Sequence, residues 1–171
     1  MTNEFDWLLW TDGSGHTDGV WVSAARFVCC GRDMQKPGST LSCGSCGTVN
    51  RSELQALLDG LTGIMDVERK RECGNASWKP RWPIRVRWFS DRENVINGVM
   101  RDSAGKPVNS RRSDGDLWAS LEWFEHHFQI QPQQVPRNTL AQQTACDKIC
   151  GKTRKAFKRW LQYTKRKKLI I

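Results

Sequence analysis

The sequence predicts a single α/β domain, on three observations. Two short strand-like segments, the apolar run Phe5 to Trp10 and the alternating Ile84 to Ser90, lead into aspartates at positions 12 and 91. Between them, Leu54, Leu57, Leu58 and Leu61 recur at helical spacing behind Asn50-Arg51-Ser52-Glu53. A strand, a helix and a second strand in that order place the strands parallel and adjacent, which brings Asp12 and Asp91 together at their carboxyl ends. With 171 residues, 38% of them hydrophobic and 26% charged, the chain can bury one core and is unlike a disordered sequence.

The elements follow in order. Phe5 to Trp10 reads as a buried strand entering the turn Thr11-Asp12-Gly13-Ser14-Gly15. Trp21 to Cys30 and Ser39 to Gly47, joined through Gly31-Arg32-Asp33, form an antiparallel hairpin attached to that strand. After the leucine helix, residues 66–83 (DVERKRECGNASWKPRWP) read as an irregular insertion. Ile84 to Ser90 alternates apolar and basic residues as a strand does. A short helix with Val95, Ile96 and Val99, a turn-rich loop over 102–113 and a longer helix through Leu117, Trp118, Leu121, Phe124 and Phe128 come next, then a last strand from Ile130 to Val135. The final segment sets Ile149, Ala156, Phe157, Trp160 and Leu161 on one side of a helix and cations on the other. The expected division is one domain over 1–163, with the insertion at 66–83, and a basic tail over 164–171.

Charge is distributed unevenly. Of 27 basic residues against 18 acidic ones, a net +9, ten lie from Lys148 onward with no acid among them, leaving residues 1–147 at −1. Ten cations without an acid repel one another, so a polyanion is the expected partner; a solvated helix face with a solubilising tail is the plainer alternative. No apolar run approaches the roughly 20 residues of a membrane helix, and residues 1–10 contain acids but no basic leader, so an intracellular protein with no membrane partner is expected. Seven cysteines, an odd number, suit reduced thiols better than a disulfide framework.

Glu53 opens the first long helix and Asp147 the last, so four carboxylates, Asp12, Glu53, Asp91 and Asp147, can converge. Without cations they would repel and raise one another's pKa. Hard oxygen ligands suit Mg²⁺ or Mn²⁺, and two such ions about 4 Å apart clamp an in-line phosphodiester displacement. Each acid also has a plainer use: Asp12 can shape an Asp-Gly turn, Glu53 can pair with Asn50 in a capping box, and Asp91 and Asp147 can be first-turn helix acids.

Trp10-Thr11-Asp12-Gly13-Ser14-Gly15, Thr48 to Leu57 (TVNRSELQAL), Phe89-Ser90-Asp91 and Ala145-Cys146-Asp147 resemble, in order, the four acidic motifs of type 1 ribonuclease H, over about Leu8 to Gly151. Asp116-Leu117-Trp118 with Leu121 is similar to the family's helix before the last strand. The resemblance implies a ribonuclease H-like fold: a five-stranded mixed sheet with strands 1–3 antiparallel and strands 1, 4 and 5 parallel, flanked by helices, here with a basic C-terminal helix. It also implies two-ion hydrolysis of the RNA strand of an RNA/DNA hybrid, by a monomer, in the company of replication or reverse-transcription proteins and with viral, phage or retroelement relatives. By position, Asp12 would bridge both ions, Glu53 and Asp91 would hold the one near the leaving group, and Asp147 the one that activates water. Gly13, Ser14, Thr48, Asn50 and Arg51 would face the nucleic acid, with Thr48 on a DNA phosphate and Asn50 on the RNA sugar, whose 2′-hydroxyl distinguishes RNA from DNA.

The sequence departs from the family in several places. The loop before the last acid has no histidine; Arg137 stands nearby, cannot act as a base at neutral pH and is expected to bind the nucleic acid. Gln143 replaces an asparagine, and Glu93 stands where a polar amide often meets substrate. The family's basic handle is reduced to Arg101 to Arg112, and Lys152, Lys155 and Arg159 of the C-terminal helix are expected to replace it. Cys29, Cys30, Cys43 and Cys46 have partial zinc-ligand spacing, though buried thiols explain them as well. His16 could approach a phosphate but suits an exposed turn. Trp7, Trp10, Trp88, Trp118 and Trp123 fit core patterns, whereas Trp78 and Trp82 are candidates for contact with a partner. The alternatives to hybrid cleavage are a resolvase-like or transposase-like DNA nuclease and a non-catalytic nucleic-acid-binding or scaffold protein of the same fold.

Overall fold

Five strands form one mixed sheet, alternating strictly between buried and half-buried residues only along the fourth, and helices pack on both of its faces. The computed structural model of the chain describes residues 4–15, 19–30, 37–45, 47–74, 82–108, 113–137 and 139–168, with only the backbone of 165–168. In chain order the elements are β1 (Trp7–Gly15), β2 (Trp21–Cys29), β3 (Gly38–Gly44), α1 (Val49–Gly74), β4 (Ile84–Ser90), α2 (Glu93–Val99), α3 (Gly115–Glu125), β5 (Phe128–Gln134) and α4 (Ala141–Lys168). The sheet order is β3-β2-β1-β4-β5. β2 pairs antiparallel with β1 and β3, whereas β4 pairs parallel with β1 and β5. This is the expected five-stranded topology.

The two sheet faces are covered unequally. Helices α1 and α3 bury Leu54, Leu57, Leu61 and Leu121 against Leu9, Val86 and Trp88 on one face. Each leucine so buried contributes about 1.5–3 kcal/mol. On the other face the start of α4 packs Cys146 and Cys150 against Trp10, Val22 and Ala24. Fully buried Trp88 donates its indole N–H to the Thr11 hydroxyl at 2.8 Å, which ties β4 to β1 one residue before Asp12.

Several boundaries differ from the sequence expectation, each for a tertiary reason. β1 continues through Thr11–Gly15 instead of turning there, because β2 pairs with it as far as Gly15↔Trp21. Half of the expected insertion is helix: α1 runs on to Gly74, anchored where buried Glu68 accepts the Trp7 indole N–H at 3.0 Å and pairs with Arg71 at 3.1 Å. Residues 75–81, including Trp78, lie outside the described set, as do His16 and Cys46. Phe128 opens β5 and does not end α3. Trp123 is 47% exposed, beside the His127 ring at 4.5 Å, and is not core. α4 starts at Ala141, so Asp147 sits in its second turn and not at its opening; the backbone stays helical through 164–168, where a tail was expected. Of the apolar residues expected on one side of this helix, Ala156 and Trp160 are exposed, and no residue from 151 to 164 is buried. Among the described residues no helix is long and apolar enough to cross a membrane.

Candidate metal centre and nucleic-acid interface

The parallel pairing of β1 with β4 decides where the acids lie. Its register runs from Trp7↔Val86 to Trp10↔Phe89, so Asp12 and Asp91 each stand two residues beyond the last pair, side by side. Asp12 is held in strand by Ala24 of β2. Helix α1 starts directly above, and its fifth residue is Glu53. Thr48 caps this start, its hydroxyl accepting the Arg51 N–H at 3.1 Å, so the capping role considered for Asn50 and Glu53 belongs to Thr48. The Gly13 N–H donates to the Glu53 carboxylate.

Gly13 allows that approach. A Cβ there would collide with the Glu53 amide nitrogen and lie 2.6 Å from the Ser52 carbonyl carbon. Both obstacles are backbone and cannot rotate away. Gly13→Ala is therefore expected to cost about 1–3 kcal/mol by overpacking and to push Glu53 off Asp12. Thermal unfolding with and without Mg²⁺ checks this: the variant should melt lower and lose stabilisation by the ion.

Asp12, Glu53 and Asp91 offer carboxylate oxygens that all lie within 4.8 Å of one another, the one such group among the described residues. Asp12 and Glu53 are buried and Asp91 is half-buried. One oxygen on each, Asp12 Oδ2, Glu53 Oε2 and Asp91 Oδ1, is buried without a hydrogen-bond partner. Burial, followed by the charges of Asp147 and Asp91, raises the Asp12 pKa to about 7, while Arg137 and a Cys150 hydrogen bond pull it down. Burial and the charges of Asp12 and Asp91 hold Glu53 well above the ordinary carboxylate range; the Gly13 hydrogen bond and Arg92, 3.7 Å from Glu53 Oε1, oppose this. Three carboxylates with three orphaned oxygens fit a hard divalent cation, since leaving buried polar atoms unpaired is costly.

Asp147 is placed differently from the other three. Its carboxylate accepts from Arg137 Nη2 at 2.9 Å, and it is not a member of the close group, although its charge reaches Asp12. The structure thus gathers three of the four expected acids and gives the fourth an arginine. Arg137, Asp91, Gln134, Val135 and Pro136 line a cleft of about 490 Å³ beside the acids.

The other expected contacts divide by accessibility. Gly13 is buried at the α1 crossing, while Ser14 and Asn50 are partly accessible. Arg51 is committed to acids of the α3 start, reaching Asp116 at 2.6 Å and Asp114 at 3.3 Å, which removes it as a phosphate ligand in this conformation. Lys152, Lys155 and Arg159 are exposed on α4. Cys29 accepts from Arg71 at 3.5 Å, and no thiol cluster occurs among the described residues. Trp82 is 45% exposed.

Two residues near the acids escaped sequence reasoning. Arg92 gives no pattern signal beyond following Asp91. Cys150 donates its S–H to the Asp12 carbonyl oxygen at 3.3 Å; its position one helical turn after Asp147 was the available clue. Gln143, 1% exposed with both amide atoms unpartnered, lies one turn before Asp147.

No protein-family model and no curated protein sequence matches the chain. Solved structures do. The structure of LC11-RNase H1 with an RNA/DNA hybrid aligns over 86% of this chain and 98% of its own, with a TM-score of 0.56 and 15% identity. RNase H1 from Halobacterium salinarum aligns over 82% and 92%, at 0.52 and 16%. The prototype foamy virus protease-reverse transcriptase aligns over 87% of this chain, at 0.57 and 15%, but the match spans only 21% of that longer polypeptide. At such identities the likeness is one of fold.

Proposed function

We propose that this chain, which has the ribonuclease H-like fold, is a metal-dependent endonuclease that hydrolyses the RNA strand of RNA/DNA hybrids. The observation that carries the proposal is the convergence of Asp12, Glu53 and Asp91 with three unpartnered oxygens, at the strand ends where this fold places a site. The hybrid bound to LC11-RNase H1 supports the substrate class.

Asp12, Glu53 and Asp91 would hold the first of two Mg²⁺ or Mn²⁺ ions, and Asp147 with Asp12 the second. When bound, such ions supply positive charge to an attacking water and to the departing 3′ oxygen. The protein supplies the rest. Asp12 and Asp91 present oxygens on a rigid strand pair, and Glu53 is aimed by the Gly13 N–H. The Arg137 guanidinium faces the cleft and can take a phosphate oxygen once Asp147 turns to an ion. The Thr48 hydroxyl, acceptor in the α1 cap, keeps its own proton for a DNA phosphate, and Asn50, two residues further on and partly accessible, would serve the RNA 2′-hydroxyl.

Labelled RNA/DNA hybrid, duplex DNA and duplex RNA in Mg²⁺ or Mn²⁺ test the proposal. Only the hybrid should be cut, leaving 5′-phosphate and 3′-hydroxyl ends, and chelator should stop the reaction. Equal cutting of duplex DNA would assign the DNA-nuclease alternative. The Arg137–Asp147 pair favours a second reading, a nucleic-acid-binding protein that does not cleave; hybrid binding without products at any divalent-ion concentration would establish it.

The basic helix makes a separate prediction. If Lys152, Lys155 and Arg159 meet phosphates, hybrid affinity should fall steeply with salt. Charge reversal at all three should flatten the logarithmic salt dependence by about one unit per lost contact. KM should rise more than kcat falls, because the contacts are equal in ground and transition states. An unchanged slope in a folded variant would make this face merely solvated.

A further inference from the structure

We propose that the distal half of α4 holds an unpaired stretch of nucleic acid adjoining the hybrid, stacking bases on Trp160 and Tyr163 and pairing phosphates with Lys152, Lys155 and Arg159. This rests on the reading that the acidic site acts on nucleic acid, and adds a second binding surface to it.

α4 is a helix of 28 residues, and Cys150 is the last buried one among its described side chains. Beyond it the helix carries aromatic rings into solvent: Trp160 is 56% exposed and Tyr163 57%. Phe157 stacks on Trp160 with ring centroids 5.6 Å apart and planes within 16°, which backs the Trp160 ring and holds it flat to solvent. At roughly 100° per residue, Trp160 lies about 80° and Tyr163 about 140° around the axis from Cys150. Lys152, Arg159 and Lys155 follow on the same flank, at roughly 160°, 180° and 220°. Rings and cations therefore form one continuous strip facing away from the sheet.

The chemistry of that strip selects its occupant. Exposed rings beside a row of cations bind single strands, whose bases have vacant π-faces and whose phosphates lie alongside. Bases inside a duplex are already stacked on both faces, so a duplex would engage the cations and leave the rings unused. A second copy of the chain is disfavoured by charge, since the segment from Lys148 has ten cations and no acid and would face its own like charges. The strip shares its helix with Asp147, whose charge reaches Asp12: Asp147 lies 13 residues before Trp160, about 20 Å along the axis at 1.5 Å per residue. A strand advancing about 3.4 Å per nucleotide covers that distance in about six nucleotides.

Binding in chelator to fluorescently labelled hybrids tests this without cleavage. The hybrids should be blunt, or carry single-stranded overhangs shorter or longer than about six nucleotides. Overhangs past that length should bind at least about tenfold tighter than blunt hybrid, the scale of one or two stacked bases. The joint change Trp160→Ala and Tyr163→Ala should abolish this gain, and Trp160→Phe should retain most of it. Both positions are exposed, so the variants should keep the wild-type circular dichroism. No gain with any overhang, or a gain that survives the double substitution, overturns the proposal; so does a concentration-dependent dimer that the same substitutions dissolve while overhangs confer no advantage. Cleavage of blunt hybrid in Mg²⁺ is judged separately. Its absence alongside an intact overhang gain would defeat the nuclease reading and leave this surface assigned.

Discussion

Asp12→Asn is expected to lower hybrid turnover by at least about a hundredfold, a loss of roughly 3 kcal/mol of transition-state stabilisation, while hybrid affinity in chelator stays the same or tightens. Asparagine fills the same space, so strand pairing with Ala24 and the Gly13 approach to Glu53 survive. What disappears is a carboxylate oxygen that lies within 4.8 Å of the Glu53 and Asp91 oxygens, and with it the charge that would attract a divalent cation. Asp91→Asn should behave alike for the same reason. Asp147→Asn should cost less, because Asp147 lies outside the close group and its first partner in this structure is Arg137. Single-turnover cleavage with saturating enzyme, beside anisotropy for binding, separates the two effects. Near wild-type turnover in Asp12→Asn would make the carboxylate structural. Equal loss of binding and turnover would mean that the substitution disturbed the fold.

The second large effect concerns stability. In chelator the protein should become less stable as pH rises from about 4 to about 7. The sign follows from the direction of the shift. Asp12 has its pKa raised from 3.8 to about 7 in the folded state, so over that interval the folded protein binds the proton that the unfolded chain has released. Below both values the penalty is absent; above about 7 it is complete. A shift of this size corresponds to about 4 kcal/mol, and Glu53, raised by burial and by the same neighbours, adds in the same direction. Asp12→Asn should therefore melt several degrees higher than wild type at pH 8 in chelator and show a flatter pH profile. Mg²⁺ should raise the wild-type Tm at pH 8 and leave the variant nearly unmoved. A wild-type Tm that increases from pH 5 to 8 in chelator would show that the three acids do not oppose one another.

Much of this molecule is legible in its sequence because the signals are local. Strand alternation over Ile84 to Ser90 matches β4 residue for residue, and the leucine spacing after Glu53 marks the buried face of α1. The two strand–aspartate junctions are local as well, and the parallel pairing that follows from them sets Asp12 beside Asp91. Long-range contacts decided the rest. The polar run Asp66 to Gly74 is helical because Trp7, some 60 residues earlier, hydrogen-bonds to Glu68; a partner so distant leaves no periodic trace. Thr11–Gly15 has the composition of a turn, yet β2 draws it into the sheet. Arg51 has the composition of a phosphate ligand, yet α3 brings Asp114 and Asp116 onto it.

The sequence by itself determined which residues alternate, which recur at 3.6 and where the charges lie, since each is a property of neighbours along the chain. Only the tertiary structure decided which acids share a site. Asp12, Glu53 and Asp91 meet within 4.8 Å because a parallel strand pair and a glycine crossing put them there, and Asp147 turns to Arg137 because the β5–α4 loop brings that guanidinium within 2.9 Å of it. Likewise, the apolar positions of α4 beyond Cys150 have helical spacing, but spacing cannot say where a sheet ends. The packed β1–β2 surface stops before Phe157, and the physical extent of that surface leaves Trp160 and Tyr163 in solvent.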